Sequence, residues 1–242
     1  VVFSWNVCHK LNTAQQASMD AVNFALTSGA HTITDNVFLN LQSSNQTAVS
    51  IQDVGSTFSR NRIAGCQGTA TIALKISNTQ DAGGTAWDDN VIHSNVGVGA
   101  SFANGLTTLT TYSNWRLWRN GSYGLLLSSA STNLWNCYNT KLFGNTTANV
   151  LMNTSSIITF DTCILNGDAS YATTHGIYNT SFVSCLRLKD CSLGASVAHS
   201  TADISSTELI ADLYNTTLAS TTEVGAITKS SGRIRSHKHD GS

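Results

Sequence analysis

A chain of 242 residues with 41% apolar side chains fills a sizeable core, so a disordered linker is excluded. Only 11% of residues are charged and the formal net charge is −1, so no electrostatic footprint for a phosphate backbone or an anionic bilayer is present, and nucleic acid is not an expected partner. No apolar run reaches the roughly 18 residues of a membrane span, and Val1-Val2-Phe3 has neither the basic flank nor the length of a signal peptide, so no membrane insertion is expected.

Proline is absent while Ser, Thr, Asn and Gly are abundant, which implies many short turns built from side-chain-capped and left-handed conformations. The six cysteines, Cys8, Cys66, Cys137, Cys163, Cys185 and Cys191, are sparse for a disulfide scaffold and include no Cys-x-x-Cys. They are expected to be free, buried thiols.

At the start of the chain, Thr13 followed by Gln16 fits a capping box. Ala14, Ala17, Ala21 and Ala25 with Val22 make an apolar face, and Ser28-Gly29 is a stop. The pattern predicts a helix near residues 14–27 that covers the first coil of a larger structure, within an N-terminal segment 1–44.

From residue 45 to 224 a repeat dominates. Seven segments share a six-residue frame: Phe58 to Ile63, Trp87 to Ile92, Tyr112 to Leu117, Tyr138 to Phe143, Phe160 to Leu165, Leu188 to Leu193 and Leu213 to Leu218. Their first and sixth positions are apolar throughout. The third is mostly Asn, Asp or Thr, residues that bond their own backbone or tolerate a left-handed bend. The fourth mixes Asn61, Asn90, Trp115, Cys163, Cys191 and Thr216 with a misfit Lys141, and Leu134 to Asn139 competes as the frame of that coil. Short apolar pieces such as Val49-Ser50-Ile51, Ile72-Ala73-Leu74, Leu125-Leu126-Leu127 and Val150-Leu151-Met152 precede the frames. Strand, bend and strand recurring about every 25 residues predict an all-β fold, a right-handed single-stranded parallel β-helix. A β-sandwich would not hold aromatics at one position and Asn/Asp at another across seven copies. Residues 225–242 are expected to form a tail, or a linker to a further domain.

This pattern resembles the pectin-lyase-like superfamily, with Asn, Cys and aliphatic ladders along the axis and a helix capping the start. The charge-poor, Ser/Thr/Asn-rich composition is similar to that of bacteriophage tailspikes. The ending His237-Lys238-His239-Asp240-Gly241 looks like the His-x-His-Asp-Gly element of phage tail and fibre proteins. The resemblance implies a homotrimer with parallel axes, assembled in the host cytoplasm, carried on the virion beside other tail proteins, and binding or cleaving bacterial surface polysaccharide.

Polygalacturonases of that superfamily carry Asp-Asp, Gly-His-Gly and Arg-Ile-Lys elements, of which Asp88-Asp89, His175-Gly176 and Arg187-Leu188-Lys189 are echoes. Asp89 and His175 lie about three coils apart, roughly 14 Å at ~4.8 Å per coil, which is too far for a shared site. Asp161 and Asp190, one coil apart, are the candidate catalytic carboxylates, with turn chemistry as the alternative role. Trp118, Trp135 and Tyr123 offer flat faces for sugar stacking, and Arg116 is a cation beside them. Corner packing is the competing role for the aromatics. In an extended chain His237 and His239 face the same way, so three chains on an axis would bring six imidazoles together around a transition metal; a disordered tail is the alternative.

The sequence thus predicts a virion tailspike or fibre segment that recognises host polysaccharide as a trimer. A depolymerase (lyase or glycoside hydrolase) and a purely structural fibre are the alternatives.

Overall fold

The computed structural model describes residues 1–9, 21–25, 31–42, 47–52, 56–67, 72–77, 87–103, 110–128, 134–153, 157–180, 184–219 and 227–237. These wind as an all-β parallel solenoid with no helix among the described residues. Each coil lays one strand on each of three faces. Face A begins with Val2–Ser4, Thr32–Thr34 and Thr57–Ser59 and continues through Trp87–Asp88, Thr110–Ser113, Leu134–Tyr138, Ile157–Asp161 and Ser184–Lys189. Face B is a nine-stranded ladder from Val7–His9 through Arg62–Ala64, Val91–His93, Arg116–Trp118, Lys141–Phe143 and Ile164–Asn166 to Thr217–Leu218. Face C stacks Val22–Phe24, Thr47–Ile51, Ile72–Ile76, Val98–Ala103, Tyr123–Ser128, Ala148–Met152 and His175–Asn179. The long strand Ala202–Tyr214 then spans faces C and A together, pairing with both His175–Asn179 and Ser184–Lys189.

Alternation within each three- to six-residue strand sends every second side chain inward. The core is therefore a set of stacks: Phe58, Phe160 and Leu188 on face A, Phe38, Ile63, Ile92, Leu117, Leu142 and Leu165 on face B, and Leu74, Ala100, Leu125, Val150, Ile177 and Ile204 on face C, all buried. The first and sixth frame positions are inward as the sequence predicts, with Trp87 paired to Tyr112, Phe160 to Leu188 and Leu188 to Leu213.

The fourth coil departs from that reading. Its frame is Cys137 to Leu142, neither Tyr138 to Phe143 nor Leu134 to Asn139, because Tyr112 pairs with Cys137 and Leu117 with Leu142. A one-residue slip exchanges inside for outside. Tyr138 is accordingly 39% exposed, whereas Trp135 is 1% exposed and packs against Phe102 and Tyr112 at ring-centroid distances of 5.3 and 5.9 Å. Lys141, a misfit in the slipped frame, simply points out. Two further copies precede the seven: Phe3 to Cys8 and Ile33 to Phe38, paired in register with each other and with Phe58 and Ile63.

Each coil passes from face A to face B through two residues. The first is left-handed, with φ between 44° and 60° at Trp5, Asp35, Arg60, Asp89, Asn114, Asn139, Thr162, Asp190 and Asn215. The second explains the mixed chemistry of the fourth frame position. At Asn6, Thr140 and Thr216 its side chain donates within its own coil, to Ser4, Tyr138 and Tyr214. In the other six it donates to the backbone carbonyl at the first frame position of the coil before: Asn36 to Phe3 (2.9 Å), Asn61 to Ile33 (2.9 Å) and Asn90 to Phe58 (2.7 Å). Trp115 donates to Trp87 (2.6 Å), Cys163 to Cys137 (3.3 Å) and Cys191 to Phe160 (3.3 Å). Amide, indole and thiol are interchangeable here because each brings a hydrogen to a buried carbonyl. The asparagines also accept: Asn61 Oδ1 from Asn36 N–H at 3.0 Å and Asn90 Oδ1 from Asn61 N–H at 3.0 Å.

A second amide ladder lines the passage from face B to face C. Asn95 donates to Asn120, Asn120 to Asn145 and Asn145 to Asn149, each at 2.9 Å. Gly99 and Gly124 flank it because a Cβ at Gly99 would lie 2.8 Å from the Asn120 amide nitrogen and one at Gly124 2.6 Å from that of Asn145. The ladder ends on a buried pair: Asn149 Nδ2 donates to His199 Nε2 (3.2 Å), and His199 Nδ1 meets Asp203 at 2.6 Å.

At the N-terminus, Val22–Phe24 is a strand paired with Val49–Ile51, which replaces the end of the predicted helix. Pairing in the ladder overrides a weak local periodicity there. The remainder of the predicted helix, residues 14–20 and 26–27, lies outside the described residues. Pairing also extends past residue 224, since Ile227–His237 adds to Ala202–Tyr214 from Ile204↔Ile227 to Tyr214↔His237. All six cysteines are free, and burial pushes the Cys66 and Cys137 thiols up to about 12.

Two outcomes test this account. Phe160→Ala should lower the unfolding free energy by about 3–5 kcal/mol, with Asp161→Ala mild by comparison; the reverse order in denaturant titrations would place the wrong face inward. Asn90→Leu keeps the volume but strands the Phe58 carbonyl and the Asn61 N–H, so calorimetry should find a loss of about 1–3 kcal/mol for each group. A neutral result would show that the amide ladder contributes nothing to the corner.

Candidate binding groove

The left-handed corner residues and the outward column of face B enclose an open groove. Asp89, Val91, Asn114, Arg116, Asn139 and Lys141 line one part, of ≈ 340 Å³. Asn139 and Lys141 also line the next, of ≈ 410 Å³, with Thr162, Ile164, Asp190, Ser192, Asn215 and Thr217. The two parts form one trough that crosses six coils, from the one holding Asp89 to the one holding Asn215. At ~4.8 Å per rung that is roughly 24 Å.

The local fold fixes what the trough presents. Corner residues keep their side chains at the rim while the backbone turns. Asn139 Nδ2 donates to Asn114 Oδ1 (2.8 Å) and Asn215 Nδ2 to Asp190 Oδ1 (2.7 Å), forming an exposed amide and carboxylate ladder outside the buried one. The fifth frame position supplies the floor, where Arg116 is paired in register with Val91 on one side and Lys141 on the other, and Lys141 with Ile164. Both cations are exposed, and among the described residues neither has an ion-pair partner. Like charges one rung apart repel by about 1 kcal/mol in water, so folding gains nothing from placing them together.

Trp118 and Arg116 share the outward side of face B. Trp118 is the middle of a stack, with His93 at 4.4 Å and Phe143 at 5.6 Å, both within 5° of parallel. Both ring faces are thereby covered, and Trp118 offers an edge, not a platform, to a ligand. Trp135 is withdrawn from the surface altogether by the register of the fourth coil, and Tyr123 opens the face C strand Tyr123–Ser128, half-buried and paired to Ala148 rather than in a turn. Of the residues read as sugar-binding, only Arg116 lies in the groove.

Asp161 and Asp190 are brought together, with Lys189 between them. The ammonium lies 3.0 Å from Asp161 Oδ2 and 3.8 Å from Asp190 Oδ2, while Thr162 Oγ1 donates to Asp161 Oδ1 at 2.8 Å. The hydrogen bond and charge of Asp161 raise the Lys189 pKa. The ammonium occupies the space in which a carboxylate pair would hold a glycosidic oxygen or a water, so the cluster is a surface ion-pair triad of small energetic worth. Asp88 and Asp161 both lie on the outward side of face A, Asp88 bonded by Ser113.

Among the described residues no three His, Cys, Asp or Glu side chains gather into a metal site. His237 closes the strand Ile227–His237 opposite Tyr214, and His239 lies outside the described residues. The sequence reading missed the chain of buried polar groups from Asn95 to His199 and Asp203. Its signal was present, because Asn95, Asn120 and Asn145 recur at a spacing of 25 residues.

Next to the groove, His93 Nε2 accepts from Arg62 Nε at 3.2 Å, and its Nδ1 lies 3.0 Å from Ser94 Oγ. Burial, then the Arg62 charge, hold the His93 pKa below the ordinary 6.5. Burial also lowers His175, whose bond to the backbone carbonyl of Thr147 opposes the shift and whose neighbour His199 adds to it. No family model, curated protein or solved structure matches the chain.

The two histidines set a pH window. Their folded pKa values are depressed, so the unfolded chain binds more protons, and the stability they contribute is complete above about 6.5 and is lost as pH falls through the folded values. Asp35 and Asp168 are also lowered, but from 3.8, and act only in a more acidic range. The melting temperature should therefore fall between pH 7 and pH 5, and His93→Gln should flatten that slope. A melting temperature that rises on acidification through this interval would contradict the assignment.

Proposed function

We propose that this chain is a segment of a virion tailspike or fibre that recognises host-surface polysaccharide as a homotrimer with parallel axes. The observation that carries the reading is the open groove at the face A–face B corner, which extends across six coils on a ladder whose every rung is hydrogen-bonded. A polymer with a regular repeat is the ligand such a groove fits, since the side chains along it recur at a fixed rise. The Ser/Thr/Asn-rich composition, the low charge and the His237-Lys238-His239-Asp240-Gly241 ending support the virion setting by resemblance. Recognition is favoured over cleavage because Lys189 bridges Asp161 and Asp190.

Light scattering on the eluted protein should give three chains per particle, and immobilised protein should retain one or more members of a panel of bacterial capsular and O-antigen polysaccharides. Following the same incubations for new reducing ends separates binding from depolymerisation. A monomer that retains no polysaccharide would sink the proposal.

A further inference from the structure

We infer that the groove is a subsite for the anionic groups of an acidic polysaccharide, with Arg116 and Lys141 as its countercharges. This rests on the glycan-binding reading and names the ligand class within it. Four other cations meet a carboxylate. Arg60 meets Asp35 at 2.7 Å, Arg119 meets Asp168 at 3.0 Å, Lys189 meets Asp161 at 3.0 Å and Arg235 meets Asp212 at 3.9 Å. Among the described residues Arg62, Lys75 and Arg187 have no ion pair either, but of the cations without one only Arg116 and Lys141 line the groove. They are neighbours in one outward column, bounded by Val91 and Ile164 and so without a carboxylate directly above or below, and both line the groove.

The acid among the residues lining this part is Asp89, at the corner one coil before Arg116, and its charge acts on Arg60. Between the cations and the rim, the bond from Asn139 to Asn114 uses the Asn114 oxygen as acceptor and leaves the Asn114 amide nitrogen as a donor. Two unpaired cations one rung apart beside an amide donor suit a polymer that carries carboxylate or phosphate groups among its hydroxyls. A planar guanidinium binds either anion in bidentate fashion, and the ammonium adds a point charge. The low net charge of the chain keeps this attraction local and selects against a general polyanion.

The test uses the whole chain and pairs of capsular polysaccharides, each in its native acidic form and as its carboxyl-reduced or dephosphorylated derivative. The acidic forms should bind and the neutralised forms should bind at least about tenfold more weakly, as expected for loss of one charge-assisted contact. Arg116→Gln or Lys141→Gln should reproduce that loss for the acidic form. Arg116→Lys keeps the charge but not the bidentate fork, so it should fall between the parent and Arg116→Gln, and melting temperatures should stay unchanged because both side chains are exposed. Binding of the acidic forms should also weaken with added salt. If neutralised and acidic forms bind alike, or the double Gln variant binds as the parent does, the anionic subsite is overturned while the glycan reading stands. If single-stranded DNA binds as tightly as the acidic glycans, the assignment to polysaccharide is overturned. If no polysaccharide binds in any form, both readings fall.

Discussion

The corner between faces A and B is the constraint on which the rest of the molecule depends. A coil that reverses direction within two residues leaves a buried carbonyl facing away from any strand partner, and a buried carbonyl without a donor costs about 1–3 kcal/mol. Repeated in every coil, that cost would exceed the net stability of an ordinary domain. The chain meets it with one left-handed residue followed by one side-chain donor. Asn36, Asn61, Asn90, Trp115, Cys163 and Cys191 all perform this single task. The carbonyl that receives the hydrogen belongs to the previous coil, so the bond that closes one turn also holds two turns in register.

Register, once fixed, propagates outward. The side chain that follows a corner donor sits one rung from its equivalents above and below, which produces columns of like position on the surface. One column stacks His93, Trp118 and Phe143, another sets Asp161 beside Lys189, and a third sets Arg116 beside Lys141. Because most contacts of a coil are with its immediate neighbours, the chemistry of a column varies rung by rung without disturbing the core. Surface function is thereby separated from the interactions that fold the chain.

Much of the fold was legible in the sequence for the same reason. Phe160, Leu165, Leu188 and Leu193 repeat a pattern that no compact topology requires, and the turn residues Asp89, Asn114 and Asp190 stand at its third position. The fourth coil was misread because its inward position holds the small Cys137, with the bulk supplied two residues earlier by Trp135. Matching aromatic to aromatic chose Tyr138 instead. That single residue of slip had two consequences for the site: Trp135 was taken for a surface platform, and Lys141 was hidden inside the frame when it belongs beside Arg116. The coils at Phe3 and Ile33 escaped notice because a helix-like run of alanines lies between them, and pairing to a neighbouring strand is a non-local signal. The covered faces of Trp118 were also beyond sequence, since they depend on which residues share its column.

Residue type alone is a poor guide to function in such a molecule. His199 and Asp203 have the composition of a catalytic dyad, yet their side chains are 0% and 2% exposed. His199 Nε2 accepts from Asn149, which leaves Nδ1 to carry the hydrogen shared with Asp203, whose other oxygen accepts the Ala219 N–H at 2.7 Å. Every polar atom of the pair is occupied in ending the second amide ladder. Asp161 and Asp190 are likewise occupied by Lys189, Thr162 and Asn215. In a solenoid that uses its buried polar groups to satisfy its backbone, chemistry is available to a ligand where a group is both exposed and without a partner. Arg116 and Lys141 meet both conditions, and they do so in the groove.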